Sequence, residues 1–130
     1  MSKSIYIFNP DNDLCLANGD PNYLPPLTAR KMEDDLAFLP AWYAGQDDFV
    51  LLPDMPEREW LDNLQKCIDI HIKPILNAEI VMNDISSFFP WGWNQKLINQ
   101  LFQAGVSMSF LPDNESVKKI RQLSHRSFAV

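Results

Sequence analysis

Short apolar segments alternate with amphipathic segments along the chain, and this alternation constrains the fold most. The apolar segments predict strands at residues 4–8, 49–52, 79–82 and 106–111. The amphipathic segments predict helices at residues 29–38, after Asp54, at 93–104, and after Asp113 or Asn114. Strands that alternate with helices favour parallel pairing, with helices on both faces of the sheet. We therefore predict an α/β fold, a Rossmann-like three-layer α/β/α sandwich with a mostly parallel sheet.

The helix after Asp54 has the clearest start signal. Asp54 is a candidate N-cap, and Glu57 stands three residues later, which is the spacing of a capping box. An apolar stripe follows at helical spacing and comprises Trp60, Leu61, Leu64, Cys67 and Ile68. Because free cysteine is usually buried, we expect Cys67 to lie in the core.

The composition fits one globular domain over residues 1–130 and limits its partners. The formal net charge is −6, which argues against binding to nucleic acid or to an anionic membrane, because both require a basic surface. No segment approaches the roughly 18 consecutive apolar residues of a membrane-spanning helix. Cys15 and Cys67 lie far apart, and the first residues lack the pattern of a signal peptide. We expect free thiols and a cytoplasmic location.

A long polar segment follows the first predicted strand, with no regular period before about Thr28. In parallel α/β folds, the loops at the carboxyl ends of the strands form the binding crevice, and the first strand usually lies centrally. The segment lacks the glycine pattern of dinucleotide-binding and phosphate-binding loops, and the spacing of a calcium-binding loop, so we predict no metal site. Two interpretations remain open, namely ordinary turn chemistry and ligand contacts from Asn9, Asp11, Asn12, Asp13 and Asn18.

Two further segments contain candidate binding residues. Trp91 and Trp93 lie in PWGWNQ, at the start of the third predicted helix and on the same side of the sheet as the first polar loop. They either cap the core or form a stacking wall or contact surface beside the crevice. Ser124, His125 and Arg126 lie at the end of the last helix. Basic residues there either suit the helix dipole or contact a ligand.

Four motifs together resemble a family of bacterial proteins that is similar to ATP-grasp enzymes. They are FNPDNDLCLANG at 8–19, DLAFLPAWYA at 35–44, PWGWN at 90–94 and IRQLSHR at 120–126. The family has an FNPE(N/H)D-L-A-L-A opening, a PWGW motif and an LSHR motif, so the resemblance covers nearly the whole chain. Asp11 stands where the family commonly has Glu, and Cys15 stands where it has a small residue. We therefore expect Cys15 to pack inward and not to be catalytic.

The resemblance implies a pre-ATP-grasp domain, followed in the complete protein by a C-terminal ATP-grasp portion. ATP and Mg²⁺ are expected in that missing portion, and no cofactor is expected in this chain. In such ligases ATP activates a carboxylate as an acyl phosphate, which an amine or similar nucleophile attacks. The polar loop, the two tryptophans and the LSHR residues are expected to contact the small-molecule substrate. The apolar ending at residues 128–130 also leads us to expect that the natural protein continues.

Two other functions remain open from the sequence. One is a non-enzymatic interaction module that binds another chain, or its own missing half, through Trp91, Trp93 and Phe128. The other is a small α/β domain that binds a nucleotide or another phosphorylated metabolite.

Overall fold

The computed structural model describes residues 3–125 and has an α/β fold built on one parallel sheet. Within these residues the strands are β1 (Lys3–Ile7), β2 (Phe49–Leu51), β3 (Lys73–Ile75) and β4 (Ile85–Pro90). Their order in the sheet is β3-β2-β1-β4, and every pair of neighbours is parallel. β1 therefore lies inside the sheet, as expected for the first strand. The Rossmann-like α/β class predicted from the alternating segments is confirmed.

Helices and short 3₁₀-helices make up most of the remaining described chain. The α-helices are α1 (Asn12–Asn18), α2 (Leu27–Asp35), α3 (Arg58–Ile68), α4 (Gln95–Gln103) and α5 (Asn114–Leu123). The 3₁₀-helices are Leu39–Trp42, Asn77–Asn83 and Met108–Phe110. Between residues 3 and 125, no helix is both long enough and apolar enough to cross a bilayer.

The core has one large part and one small part, on opposite faces of the sheet. Successive side chains of β1 alternate between the faces, and Ile5 and Ile7 share the larger part with Leu16 of α1, Leu101 of α4 and Val117 of α5. On the other face, Val50 of β2 packs in a smaller cluster with Ala37 and Leu52. The turn that follows α2 thus covers the second face, opposite the larger part, to which α1, α4 and α5 contribute.

The segment after β1 is not aperiodic, contrary to the prediction. Residues Asn12–Asn18 form α1, whose buried side comprises Asn12, Cys15 and Leu16. Gly19 ends this helix with a φ of 78°, and its N–H donates to the Cys15 carbonyl oxygen at 2.9 Å. Glycine is the usual residue at such a helix end, because it adopts a positive φ without strain.

The strand predicted at residues 79–82 is wrong, because this segment belongs to the 3₁₀-helix Asn77–Asn83. Leu76 N donates to Glu79 Oε1 at 3.1 Å, and Asn83 Nδ2 donates to the Glu79 carbonyl oxygen at 2.8 Å. These local bonds replace the bonds of a sheet. Along the chain, β3 precedes this segment and β4 follows it. Pro74 is tolerated within β3 because β3 is an edge strand.

The strand predicted at residues 106–111 is also wrong. Its centre forms the 3₁₀-helix Met108–Phe110, and Ser107 Oγ accepts a hydrogen bond from Ser109 N at 3.3 Å at the start. Val106 and Leu111 are buried at the two ends of the segment, whereas Met108 and Phe110 between them are exposed. A short apolar run of this kind does not by itself distinguish a strand from a turn.

α3 begins later and is more exposed than predicted. Its N-cap is Glu57, without a side-chain hydrogen bond, so the predicted capping box is wrong. Pro56 accounts for the later start of α3, because helical backbone angles are disfavoured for Met55, the residue that precedes this proline. The expected burial of Cys67 is also wrong, because this residue is exposed. α3 contacts the smaller core cluster through Trp60, which meets Phe38 edge-on at 5.5 Å, and that cluster does not bury the whole helix.

Candidate functional site

The carboxyl ends of β1 and β4 are adjacent at the point where the strand order reverses. From β1 the chain continues to β2 and β3 on one side, whereas β4 lies on the other side. Such a switch point forms the binding crevice in open parallel sheets. The first polar segment follows β1, and the PWGW segment follows β4. The structure therefore brings together the two segments that were predicted to lie on the same side of the sheet.

Asn9 joins these two segments through a pair of hydrogen bonds. Its Nδ2 donates to the Gly92 carbonyl oxygen at 2.8 Å, and Gly92 N donates to Asn9 Oδ1 at 3.3 Å. Trp91 N donates to the Ile7 carbonyl oxygen at 3.0 Å and continues the contact between β1 and β4. Asn9 is buried, and both ends of its amide are engaged by the backbone of the PWGW segment.

Asn12 and Asn94 connect the start of α1 to the start of α4. Asn94 Nδ2 donates to Asn12 Oδ1 at 2.9 Å, and Asn94 Oδ1 caps α4 by accepting from Leu97 N at 2.9 Å. Turning the Asn12 amide over places its nitrogen 3.2 Å from the Gly92 carbonyl oxygen and 3.3 Å from that of Trp93. Either orientation joins α1 to the segment after β4. A Cβ atom on Gly92 would overlap the Asn12 amide, so the close approach requires glycine.

Asp11 is the centre of a buried charged cluster beside these contacts. Its side chain is 3% exposed, and Lys96 Nζ lies 3.2 Å from Asp11 Oδ2. Cys15 Sγ donates to the same carboxylate oxygen at 3.4 Å. The Glu33 carboxyl group lies within hydrogen-bonding reach of Asp11. Glu33 Oε2 is buried, and no donor from the described residues reaches it.

The surroundings raise the pKa of two groups in this cluster. Burial, followed by the hydrogen bond to Asp11 and the Asp11 charge, raises the pKa of Glu33 to about 8, while Lys96 acts in the opposite direction. Glu33 is therefore mostly protonated at neutral pH and donates to the Asp11 carboxylate, so the two groups share one proton. Burial, followed by the Asp11 charge, raises the pKa of the Cys15 thiol to about 12. Cys15 packs inward as expected, and it remains an unreactive thiol.

A groove between α1 and α5 collects predicted residues from both ends of the chain. One cavity, of 580 Å³, is lined by Asp13, Leu16, Ala17, Arg121, Ser124 and His125. A second cavity, of 340 Å³, shares Leu16 and Arg121 with the first and extends to Gln95, Asn114 and Lys118. We call these two cavities together the α1/α5 groove.

The charges of the α1/α5 groove suit a ligand with an anionic group. Lys118 and Arg121 line it, and Arg121 Nη2 is fixed by donating to the Ala17 carbonyl oxygen at 2.7 Å. Gln95 and Asn114 are the first residues of α4 and α5, and helix N-termini favour anions. Gln95 Nε2 donates to Asn114 Oδ1 at 3.0 Å and so joins the two helix ends.

The other predicted residues lie outside this groove. Asn18 is exposed, and its Oδ1 accepts from Asp20 N at 3.1 Å, which is ordinary turn chemistry. Trp91 is 64% exposed and meets Phe8 edge-on, with the ring centroids 5.3 Å apart. Trp93 is half-buried against the larger core. Arg126 and Phe128 lie outside the described residues.

Sequence reasoning missed Glu33, Lys96 and Arg121. Each is a single charged residue on an amphipathic helix, where charges usually face solvent. The one signal for Glu33 was Ala29, a small residue one helical turn earlier on α2. Arg121 lies within the IRQLSHR motif, one helical turn before Ser124, and so on the same side of α5.

No protein-family model, curated protein or solved structure matches the chain. Among residues 3–125, His, Cys, Asp and Glu side chains form no group of three or more that is able to hold a metal ion.

Proposed function

We propose that this chain is the substrate-side domain of a bacterial, cytoplasmic carboxylate ligase of the ATP-grasp type. The motifs FNPDNDLCLANG, PWGWN and IRQLSHR support the resemblance to that family, and the parallel α/β fold agrees with a pre-ATP-grasp domain. In this proposal, ATP and Mg²⁺ are bound by a C-terminal portion of the complete protein. The chain described here binds the small-molecule substrate and is not catalytic alone.

The observation that carries the proposal is the meeting of two distant motifs in one cavity. Asp13 belongs to the first motif, and Ser124 and His125 belong to the last, yet all three line the same 580 Å³ cavity. Polar groups that converge on a cavity are typical of a ligand site. Lys118 and Arg121 in the α1/α5 groove favour a substrate that carries a carboxylate, which is the group that ATP-grasp ligases activate.

The residues around the groove have separate roles in this proposal. Arg121 binds the substrate carboxylate, and its bond to the Ala17 carbonyl oxygen holds the guanidinium group in position. Asp13 is exposed at the groove and accepts a hydrogen bond from the substrate. Asn9 and Asn12 are positioning residues, because their bonds fix the start of α1 to the segment after β4.

Asp13→Ala in the complete polypeptide tests the role of the groove. The assay measures kcat/KM for ATP-dependent ADP release with a panel of carboxylates and amines. We expect kcat/KM to fall about tenfold, because a contact worth about 1.4 kcal/mol is lost. Asp62→Ala removes an exposed acidic residue of α3 as a matched control and should keep the wild-type value. Circular dichroism should show an unchanged fold for both variants.

Two results would contradict the proposal at different levels. Equal kcat/KM values for the Asp13 and Asp62 variants would remove Asp13 from substrate binding. A complete polypeptide that releases no ADP with any carboxylate and amine in the panel would contradict the ligase assignment itself.

An aromatic surface favours a second candidate function, a non-enzymatic interaction module. Tyr43, Phe89 and Trp91 are 59%, 49% and 64% exposed. Tyr6 connects two of them, because it stacks on Phe89 at 5.2 Å and meets Tyr43 edge-on at 5.6 Å. Exposed aromatic side chains that cluster in this way are typical of contact surfaces. Sedimentation velocity tests this alternative: self-association that Trp91→Ala abolishes would support it, and a monomer at all concentrations would count against it.

A further inference from the structure

Opposite charges line the α1/α5 groove without pairing with each other. Asp13 and Arg121 both line the 580 Å³ cavity. Neither side chain takes part in an ion pair between residues 3 and 125. Lys118 in the second cavity, by contrast, lies 3.5 Å from Glu115 Oε1, which offsets part of its charge. The groove thus presents one anion and one cation whose charges are available to a ligand.

The separation of these two charges follows from their places on α1. Arg121 Nη2 donates to the Ala17 carbonyl oxygen at 2.7 Å, and the other N–H groups of the guanidinium are left for a ligand. Asp13 precedes Ala17 by one helical turn on the same face of α1, at about 6 Å along the axis. A ligand with an ammonium group and a carboxylate on neighbouring carbon atoms fits this gap, with a charge-assisted bond of about 2.8 Å at each end.

Two amide side chains in the second cavity leave one donor and one acceptor free. Gln95 Nε2 donates to Asn114 Oδ1 at 3.0 Å, and both residues line the cavity. Gln95 Oε1 and Asn114 Nδ2 have no partner between residues 3 and 125. Turning both amides over exchanges these roles but still leaves one donor and one acceptor. A primary amide on a ligand has the complementary pair of groups, an N–H donor and a carbonyl acceptor.

We propose that the α1/α5 groove binds an α-amino acid whose side chain ends in a primary amide, as in glutamine. Its ammonium group lies at Asp13 and its carboxylate at Arg121. Its side chain passes into the second cavity, where the amide bonds to Gln95 and Asn114. Leu16 and Arg121 line both cavities, so the two adjoin at these residues. This assignment rests on the proposed function, in which the groove holds the substrate, and it names the chemical class of that substrate.

Isothermal titration calorimetry of the chain with L-glutamine, in the absence of ATP, tests the site. We expect saturable binding. The affinity should be about fivefold weaker for glutaramate, which lacks the ammonium group, and for 4-aminobutanamide, which lacks the carboxylate. L-Norleucine keeps both charged groups but has no amide, and it should also bind about fivefold more weakly.

Asp13→Asn separates recognition of the ammonium group from a general effect on the groove. The variant should bind L-glutamine about fivefold more weakly, because one ion pair is lost, whereas its affinity for glutaramate should not decrease. Asp13 is exposed and its side chain makes no hydrogen bond within the described residues, so we expect an unchanged fold. Asp62→Asn changes the net charge equally, on the exposed side of α3, and should keep the wild-type affinity for both ligands.

Three results would overturn the assignment of the ligand. One is the absence of saturable L-glutamine binding at millimolar concentrations. Another is equal binding of L-glutamine, glutaramate and L-norleucine, which would show that neither the ammonium group nor the amide is recognised. The last is an equal loss of affinity for L-glutamine and glutaramate in Asp13→Asn, which would show that Asp13 does not contact the ammonium group.

The failure of this assignment is distinguishable from the failure of the proposed function. A chain that binds L-glutamine, in a complete polypeptide that releases no ADP, would contradict the ligase assignment alone. A complete polypeptide that releases ADP with other carboxylates, in a chain that does not bind L-glutamine, would contradict only the class of substrate.

Discussion

Glu33→Gln tests whether two carboxyl groups share a proton at the switch point. Glu33 is half-buried beside Asp11, and burial first and Asp11 second raise the pKa of Glu33 to about 8. Glutamine keeps the size of the side chain and donates an amide hydrogen to Asp11, but it has no proton to lose in this range. The substitution therefore separates the titration of Glu33 from its packing.

The expected size of the effect follows from proton linkage. A glutamate in the unfolded chain titrates near 4.5, so between this pH and about 8 the unfolded state binds fewer protons than the folded state. The free energy of unfolding of the wild type therefore decreases as the pH rises through this window. The full pKa difference corresponds to about 5 kcal/mol, but Glu33 keeps contact with solvent, so we expect about 2 kcal/mol. The glutamine variant avoids this loss.

Urea unfolding followed by tryptophan fluorescence measures the difference between the two proteins. Near pH 5 their midpoints should be similar, whereas near pH 9 the Glu33→Gln variant should unfold at a urea concentration about 1 M higher. Asp35→Asn, which removes an exposed charge from the same helix, should follow the wild type at both pH values. Wild-type and Glu33→Gln midpoints that differ by the same amount at every pH would refute the shared proton.

Gly92→Ala should lower the free energy of unfolding by about 2 kcal/mol, because the added Cβ overlaps the Asn12 amide at the switch point. Urea unfolding measures this loss. Gly45→Ala is the control, because its Cβ meets only the end of a movable side chain. An equal or smaller loss in Gly92→Ala than in Gly45→Ala would contradict the prediction. A thiol reagent should modify Cys67 quickly in the native chain and Cys15 only after unfolding, because Cys15 is buried and its pKa is raised to about 12. Two equally fast native thiols would contradict the buried cluster.

The fold class follows from the sequence because alternating apolar and amphipathic segments show which surfaces must be buried. β1 and β2 lie within one residue of their predicted positions, and α5 begins at Asn114, directly after Asp113, as predicted. The same pattern places two strands on segments that form the 3₁₀-helices Asn77–Asn83 and Met108–Phe110. Local side-chain hydrogen bonds determine the conformation of those two segments, and the spacing of apolar residues does not reveal such bonds.

The position of the candidate site is predictable from the sequence, but its chemistry is only partly so. The sheet order places the first polar segment beside the PWGW segment, and the contact between Asn9 and Gly92 follows from it. Periodicity misses α1, because its buried side spans too few residues for a repeat to show. Glu33 and Lys96 belong to helices whose charges ordinarily face solvent, and their approach to Asp11 depends on how α2 and α4 pack.

The mass of the native polypeptide tests most directly whether this chain is the substrate-side domain of a larger ATP-dependent ligase. An antibody raised against the domain and applied to extracts of the source cells measures it. We predict one product of at least about twice the 15.0 kDa of this chain, because an ATP-grasp portion needs a core of its own. A native product of 15.0 kDa would contradict the ligase assignment, and the interaction module would then be the better account.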